Sequence, residues 1–165
     1  MNIHMLETGH CVQIDSSDYH LLEGEKWWVA KDGYVKVFAE GPPQRLARLV
    51  MDAKPGQIVD HVDRNPLNNK RSNLRFCDDS QSSSNQQKTK RPSTSRFKGV
   101  FRSNPVRGSK KSPWTAQISF RGKSIYLGSF VNEEDAARAY DASAIQTHGE
   151  FAATNVTLGL LPPLA

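Results

Sequence analysis

The chain has 165 residues, room for one ordinary domain or two small ones, with 24% charged residues and a net charge of +5. Its two cysteines, Cys11 and Cys77, lie far apart without Cys-x-x-Cys spacing, which excludes a disulfide framework and a zinc knuckle. No run of about 18 apolar residues occurs, and MNIHMLETGH has no basic segment followed by an apolar stretch, so the expectation is a soluble, intracellular chain with no secretion signal and no membrane span.

In chain order, CVQI (11–14) predicts a strand and DSSDYHLLEG (15–24) a brief helix started between Asp15 and Asp18. WWVAKDGYVKVF (27–38) predicts a hairpin turned by Asp32-Gly33. RLARLVMDA (45–53) is helical in pattern and ends before Lys54-Pro55-Gly56; that turn feeds the β-branched run IVDHVD (58–63), a predicted strand. The polar stretch 78–95, rich in Ser and Gln and broken by Pro92, predicts a helix of limited length running into a linker, with the domain boundary at 88–95. Three strands follow, FKGVFR, TAQISF and SIYLGSF, the last two joined at Arg121-Gly122-Lys123. Asn132 then stands as an N-cap before an acidic first turn, and a helix carries Ala136, Ala137, Ala139, Tyr140 and Ala144 on a small-residue face as far as His148-Gly149. The fold class is α+β, and its C-terminal part is a three-stranded antiparallel sheet packed on one helix.

Charge is divided unevenly between the halves. Residues 1–85 hold 10 basic and 12 acidic side chains, whereas residues 86–165 hold 12 basic and 5 acidic ones. No acidic residue occurs between Asp79 and Glu133. A run of this kind points to a polyanionic partner, nucleic acid before any other.

The segment VDHVDRNPLNNKRSNLRF (59–76) carries the chemistry. An Asp and a His adjacent on a strand, followed by an Asn-rich loop, supply a metal ligand and a base. A neutral imidazole with a pKa near ~6.5 takes a proton from water near neutral pH, and a hard divalent ion steadies the charge gathering on a phosphodiester under attack. In this segment the chain resembles the HNH endonucleases of phage and intron homing elements. The resemblance implies a ββα-metal nuclease domain over 1–87, with Asp60 binding the metal, His61 acting as general base and Asn73 orienting the imidazole. It implies Mg²⁺, with Mn²⁺ as a substitute and no zinc. The family's second metal ligand is the Asn of a Gln-Asn pair, and here Ser82 follows Gln81. Either Ser82 serves, or Asn85 about one turn on reaches the ion, or the site is impaired. Ala47 stands where the family has a histidine in its His-Arg-Leu sequence. Lys70, Arg71 and Arg75 supply the cations that a nuclease centre needs near the scissile phosphate.

Residues 96–158 resemble the Apetala-type (ethylene-response factor) DNA-binding domain through RFKGVFR, WTAQISF, SIYLGSF, EEDAARAYDASAI and Asn155, with 88–95 as a basic linker and 159–165 as an apolar tail. That family lays its sheet in the major groove. Alternation turns Ala116, Ile118, Phe120, Ile125 and Leu127 toward the helix and leaves Thr115, Gln117, Ser119, Arg121, Ser124 and Tyr126 outward; Lys98, Arg102 and Lys123 complete the expected DNA contacts. The loop 104–113 lacks acids and is expected to track phosphates. Together these readings imply a site-specific, metal-dependent endonuclease cutting double-stranded DNA in the cytoplasm of a bacterial or phage-infected cell. Cutting both strands requires a homodimer or two successive nicks. The other reading is a sequence-specific DNA-binding protein with a decayed nuclease half, and an RNA-processing nuclease fits a major-groove sheet poorly.

Overall fold

The β-branched and aromatic runs form strands in the computed structural model, which describes residues 2–5, 9, 11–38, 41–87, 94–102 and 113–163. Contacts divide the chain into two units, Met1–Asp79 and Ser80–Ala165. Both are small antiparallel sheets with short helices, the expected α+β class.

In the first unit β1 (Asn2–Met5) pairs with β2 (Cys11–Ile14), and a 3-10 turn spans Ser16–Leu21. Asp15, at the expected helix start, makes no side-chain cap; its carboxylate accepts instead from the Arg71 N–H at 2.9 Å. β3 (Trp27–Val29), β4 (Val35–Val37) and β5 (Gln44–Arg45) form a meander. Its first hairpin turns at Asp32-Gly33 as expected, because Gly33 reaches the left-handed region at φ 84. Next comes α1 (Leu46–Val50), shorter than the helical pattern, since the chain turns back at Asp52 (φ 46). Arg48 holds that return, donating to the carbonyls of Ala53 (3.1 Å), Lys54 (2.9 Å) and Gln57. β6 (Ile58–His61) and β7 (Leu74–Cys77) then pair as a two-stranded sheet. Val12, Ile14, Leu22, Val35, Val37, Leu46, Val50 and Leu74 form the core over which these pieces close.

The second unit begins earlier than the composition of the linker suggests. α2 (Asp79–Ser84), expected to end the first domain, is tied to its own C-terminal neighbours. The Ser84 hydroxyl donates to Phe151 O at 3.2 Å, Ala153 N–H donates to Ser84 O at 3.4 Å, and the Lys98 ammonium donates to the carbonyls of Ser84 (2.8 Å) and Gln86 (2.7 Å). Lys98, expected on DNA, is thereby engaged at the C-terminal end of α2, where orphan carbonyls favour a cation.

β8 (Val100–Arg102), β9 (Trp114–Phe120) and β10 (Lys123–Phe130) form an antiparallel sheet with β9 central, packed against α3 (Glu133–His148), a helix of 16 residues. Arg121 (φ 48) and Gly122 (φ 74) make the two-residue turn between β9 and β10. Asn132 occupies the N-cap position, but its amide donates to Asp135 at 3.0 Å and it makes no side-chain cap to the helix backbone. Ala136, Ala137, Tyr140 and Ala144 are buried against the sheet, as the small-residue face predicts. Gly99 lets Tyr140 in: a Cβ there would sit 1.9 Å from the ring. The apolar tail docks on this unit, with Leu161 buried and the N–H groups of Leu160 (2.8 Å) and Leu161 (3.1 Å) donating to Asn155 O.

Asn155 is the fully buried lock of the second unit. Its amide accepts from Lys98 N–H (2.7 Å) and donates to Lys98 O (3.2 Å) and Asp141 Oδ1 (2.8 Å), while its own N–H donates to Asp141 Oδ1 (2.6 Å). An Asn155→Leu variant keeps the volume and strands these partners, so its urea unfolding should show a loss of about 3 kcal/mol; a loss under about 1 kcal/mol would mean that the network is not what joins strand, helix and tail.

Candidate active site

The β6–β7 register sets Asp60 opposite Arg75 and His61 opposite Leu74. The Arg75 guanidinium donates to Asp60 Oδ2 through Nε (3.1 Å) and a terminal nitrogen (3.0 Å), and both side chains keep only 12–13% of their surface exposed. Arg75, expected on phosphate, is therefore paired with the very carboxylate expected on the metal. Arg71 is likewise engaged, in a two-pronged pair with the buried Asp18 at 2.8 and 2.7 Å.

Between the strands, residues 62–73 are shaped by side-chain amides closing on one carboxylate. Asp63 Oδ1 accepts from the Asn65 N–H (2.8 Å) and the Asn73 amide (2.8 Å), and Asp63 Oδ2 accepts from the Asn68 amide (2.7 Å). The Asp63 N–H donates back to Asn73 Oδ1 at 3.0 Å, and the Asn73 amide also donates to Asn68 O at 2.8 Å. Burial opposes ionisation of Asp63, but these donors outweigh it and hold its carboxyl below the usual carboxylate range. The strand β2 secures the loop from the other side, through Gln13 N–H to Leu67 O and Asn69 N–H to Gln13 O, both 2.8 Å.

This loop sets the state of His61. The expected orienting residue, Asn73, instead closes the loop. The ring meets Asn69, whose Oδ1 lies 3.3 Å from His61 Nε2. The Asn69 amide nitrogen donates to Pro66 O at 3.2 Å, which fixes the amide so that Oδ1 faces the ring. Nε2 must then carry the hydrogen, and in the neutral ring Nδ1 is the basic nitrogen. Burial is the largest influence on His61 and lowers its pKa from 6.5; Asn69 and the carboxylates of Asp63 and Asp60 oppose this, the Arg45 charge adds to it, and the net shift is downward. A buried, neutral, oriented imidazole is a competent base.

A pocket of about 190 Å³ opens beside His61, walled by Tyr34, Arg45, Ala47, Arg48, Gln57, Ile58 and Val59. Tyr34 leans on the imidazole with ring centres 5.8 Å apart, and Arg45 stacks on Tyr34 at 3.8 Å from the ring centre. Composition alone did not single out Tyr34, Arg45 or Asn69 for these places. In the sequence Asn69 reads as part of an Asn-rich loop and Arg45 as the first residue of a helical pattern.

Among the other expected site residues, Ser82 and Asn85 belong to the second unit, Ser82 half-buried and Asn85 buried. Lys70 is half-buried, and the side chains of Arg102, Ser119, Arg121, Lys123, Ser124 and Tyr126 are exposed. Gln117 is half-buried and donates to the Ser124 hydroxyl. Thr115 departs from the expected outward face: it is 6% exposed, on the central strand between Phe101 and Ser129. Ile125, expected inward, keeps 42% of its surface on the edge strand β10, whose register shifts between Tyr126 and Gly128. The loop 104–113 lies outside the described residues except for Pro113, as do residues 88–93 of the expected linker.

Among the described residues no group of three or more His, Cys, Asp or Glu side chains gathers for a metal. The donors expected from the sequence, Asp60, Ser82 and Asn85, are all oxygen ligands, the kind a hard divalent cation takes. Asp60 meets such an ion only in competition with Arg75. No helix among the described residues is long and apolar enough to cross a membrane.

The sequence relationships cover different shares of the chain. The chain is a distant relative of an HNH endonuclease over most of its length and of AP2/ERF-domain proteins over part of it. The first is an uncharacterized HNH endonuclease of Acanthamoeba polyphaga mimivirus, 33% identical over 135 residues, which are 79% of this chain and 66% of the viral protein, just under two thirds of its length. The others are two AP2/ERF and B3 domain-containing proteins of Oryza sativa subsp. japonica, 45% and 46% identical over 62 and 65 residues, or 38% and 39% of this chain and 15% and 18% of theirs. No family model and no solved structure matches the chain.

Two measurements check the site's electrostatics. Because the folded-state pKa of His61 lies below 6.5, the stability gained by keeping it neutral is whole above pH 6.5 and is lost as pH falls from there through the lowered value. Urea midpoints of the metal-free protein at pH 7.5 and pH 5 should therefore fall further for wild type than for His61→Leu; parallel losses would show that burial does not keep His61 neutral. Arg75→Met strands the Asp60 charge and should cost about 3 kcal/mol, most of it regained in Asp60→Asn/Arg75→Met. Equal stability of the single and double variants would contradict a coupled pair.

Proposed function

We propose that the protein is an HNH-type, divalent-metal-dependent DNA endonuclease in which the first unit cuts and the second gives affinity and register. The observation that carries this reading is the buried His61, set by Asn69 with Nδ1 as its basic nitrogen, next to Asp60 and open to a pocket with an arginine on its wall. The resemblance to the viral HNH endonuclease over 79% of the chain supports it.

In this reading a DNA strand lies along the pocket with one phosphate beside His61. Water attacks phosphorus, the P–O3′ bond breaks, His61 takes the water's proton, and the 3′ oxygen leaves to be protonated by solvent. The products are a 5′-phosphate and a 3′-hydroxyl. When bound, the metal stabilises the charge on the phosphoryl group and on the departing oxygen. Asp60 is its proposed protein ligand in the first unit, in exchange for its pairing with Arg75. Mg²⁺ keeps several waters and takes few protein oxygens. Tracts 1–87, 88–95 and 96–158 are the proposed nuclease, linker and reading segments, with the exposed Arg102, Ser119, Arg121, Lys123, Ser124 and Tyr126 on duplex DNA. The reaction is site-specific and of the homing type, and double-strand breaks arise from two chains or two nicks.

The ion pair between Asp60 and Arg75, together with Ser82 in the place of an asparagine, favours one other reading: a DNA reader whose nuclease half is decayed. Incubating wild type and His61→Ala with long duplex DNA and Mg²⁺ or Mn²⁺, then mapping the ends by sequencing, separates the two. Discrete breaks that need metal and vanish in the variant are expected; DNA bound but uncut by both proteins would establish the reader. Binding itself should weaken about 10³- to 10⁵-fold from roughly 50 to 200 mM salt if some six to ten phosphates are held, and a flat salt response would contradict DNA binding.

A further inference from the structure

Two guanidinium groups wall the pocket beside His61, and they differ in what they hold. Arg48 is engaged by three backbone carbonyls, those of Ala53, Lys54 and Gln57, and serves the return after α1. Arg45 is held otherwise. Its guanidinium carbon sits over the Tyr34 ring, 3.8 Å from the ring centre, and one terminal nitrogen reaches Asp32 at 3.1 Å across a pair whose members keep 45% and 42% of their side-chain surface in solvent. An exposed ion pair of this kind contributes little to stability and is readily exchanged. A guanidinium held over an aromatic face by cation–π attraction can still donate N–H groups to an anion. Tyr34 also touches the His61 ring, so Arg45, Tyr34 and His61 form one continuous shelf along the pocket.

We propose that Arg45 is a phosphate clamp for the cleavage site: in the free protein Asp32 masks it, and a backbone phosphate of the bound DNA strand displaces Asp32 and is held by the guanidinium against the pocket containing His61. The inference rests on the nuclease reading for its substrate, while its geometry stands on the pocket alone. The exchange is chemically matched, since carboxylate and phosphate both accept two parallel N–H bonds from one guanidinium. The phosphate carries its charge into a wall where Arg45 is the cation not tied to backbone carbonyls. Asp32 is a substrate mimic in this account, and removing its charge strengthens phosphate binding. Removing Arg45 abolishes that binding, and lysine restores it in part because it offers a point charge without the planar fork.

The test uses the full chain and two probes, inorganic phosphate and a short duplex, followed through the side-chain N–H signal of Arg45 and the methyl signal of Ala47. Four proteins are compared: wild type, Arg45→Gln, Arg45→Lys and Asp32→Asn. Phosphate and duplex should both shift the Arg45 signal in wild type, Asp32→Asn should bind phosphate about three- to tenfold more tightly, and Arg45→Gln should leave Ala47 unmoved. In single-turnover cleavage with Mg²⁺ at sub-saturating duplex, Arg45→Gln should lose about tenfold, with Arg45→Lys between it and wild type. A gain from Asp32→Asn is an outcome that damaged folding does not produce. Unaltered phosphate affinity in Asp32→Asn, together with wild-type cleavage by Arg45→Gln, overturns the clamp and leaves the nuclease reading standing. Absence of cleavage in wild type with the phosphate responses intact does the reverse: the anion site stands and the nuclease reading falls.

Discussion

The closure of the loop 62–73 on the Asp63 carboxylate is the constraint on which the site depends. Three amide donors reach that carboxylate, from Asn65, Asn68 and Asn73, and the Asp63 N–H returns a bond to Asn73. Of the apolar side chains in this loop, Leu67 packs against the core and Val62 is exposed, so one anchor does not by itself fix its shape. Here the polar network supplies the rest, and its result is the position of Asn69 against His61. The His61 ring is therefore set indirectly: Asn73 and Asp63 shape the loop, the loop places Asn69, and Asn69 selects the tautomer.

Internal pairing accompanies the difference in charge between the halves of the chain. Four arginines of the first unit are engaged within it: Arg48 on carbonyls, Arg71 on Asp18, Arg75 on Asp60 and Arg45 on Asp32. They organise a site more than they attract a polyanion. The second unit carries the basic excess, with Arg102, Arg121 and Lys123 exposed on its sheet, and in the proposed function the long-range attraction for DNA falls to it.

Much of the fold was legible because it is encoded locally. The Asp32-Gly33 hairpin, the Pro55-Gly56 turn into β6, the Arg121-Gly122 turn and the end of α3 at His148 each follow from a few adjacent residues. What escaped depends on contacts distant in sequence. Ser84 and Lys98 reach Phe151 and the end of α2, so the second unit begins at Ser80 although composition changes only at 88–95. Strict alternation failed on the sheet at Thr115, covered on the central strand between Phe101 and Ser129, and at Ile125, exposed on the edge strand β10. At the site, Asp60 and His61 were legible as a pair, but the partners were not: Arg75 meets Asp60 through strand register, and Asn69 meets His61 through loop shape.

The account stands on a neutral His61 acting as the base of a metal-dependent hydrolysis, and the pH dependence of single-turnover duplex cleavage at fixed, saturating Mg²⁺ tests it most directly. A rate that rises through one ionisation below pH 6.5 and is level by about pH 7.5 is what the lowered pKa of His61 requires. A rate still climbing about tenfold per pH unit above that point would assign the base to something other than this imidazole, and the absence of cleavage at every pH would contradict the nuclease itself.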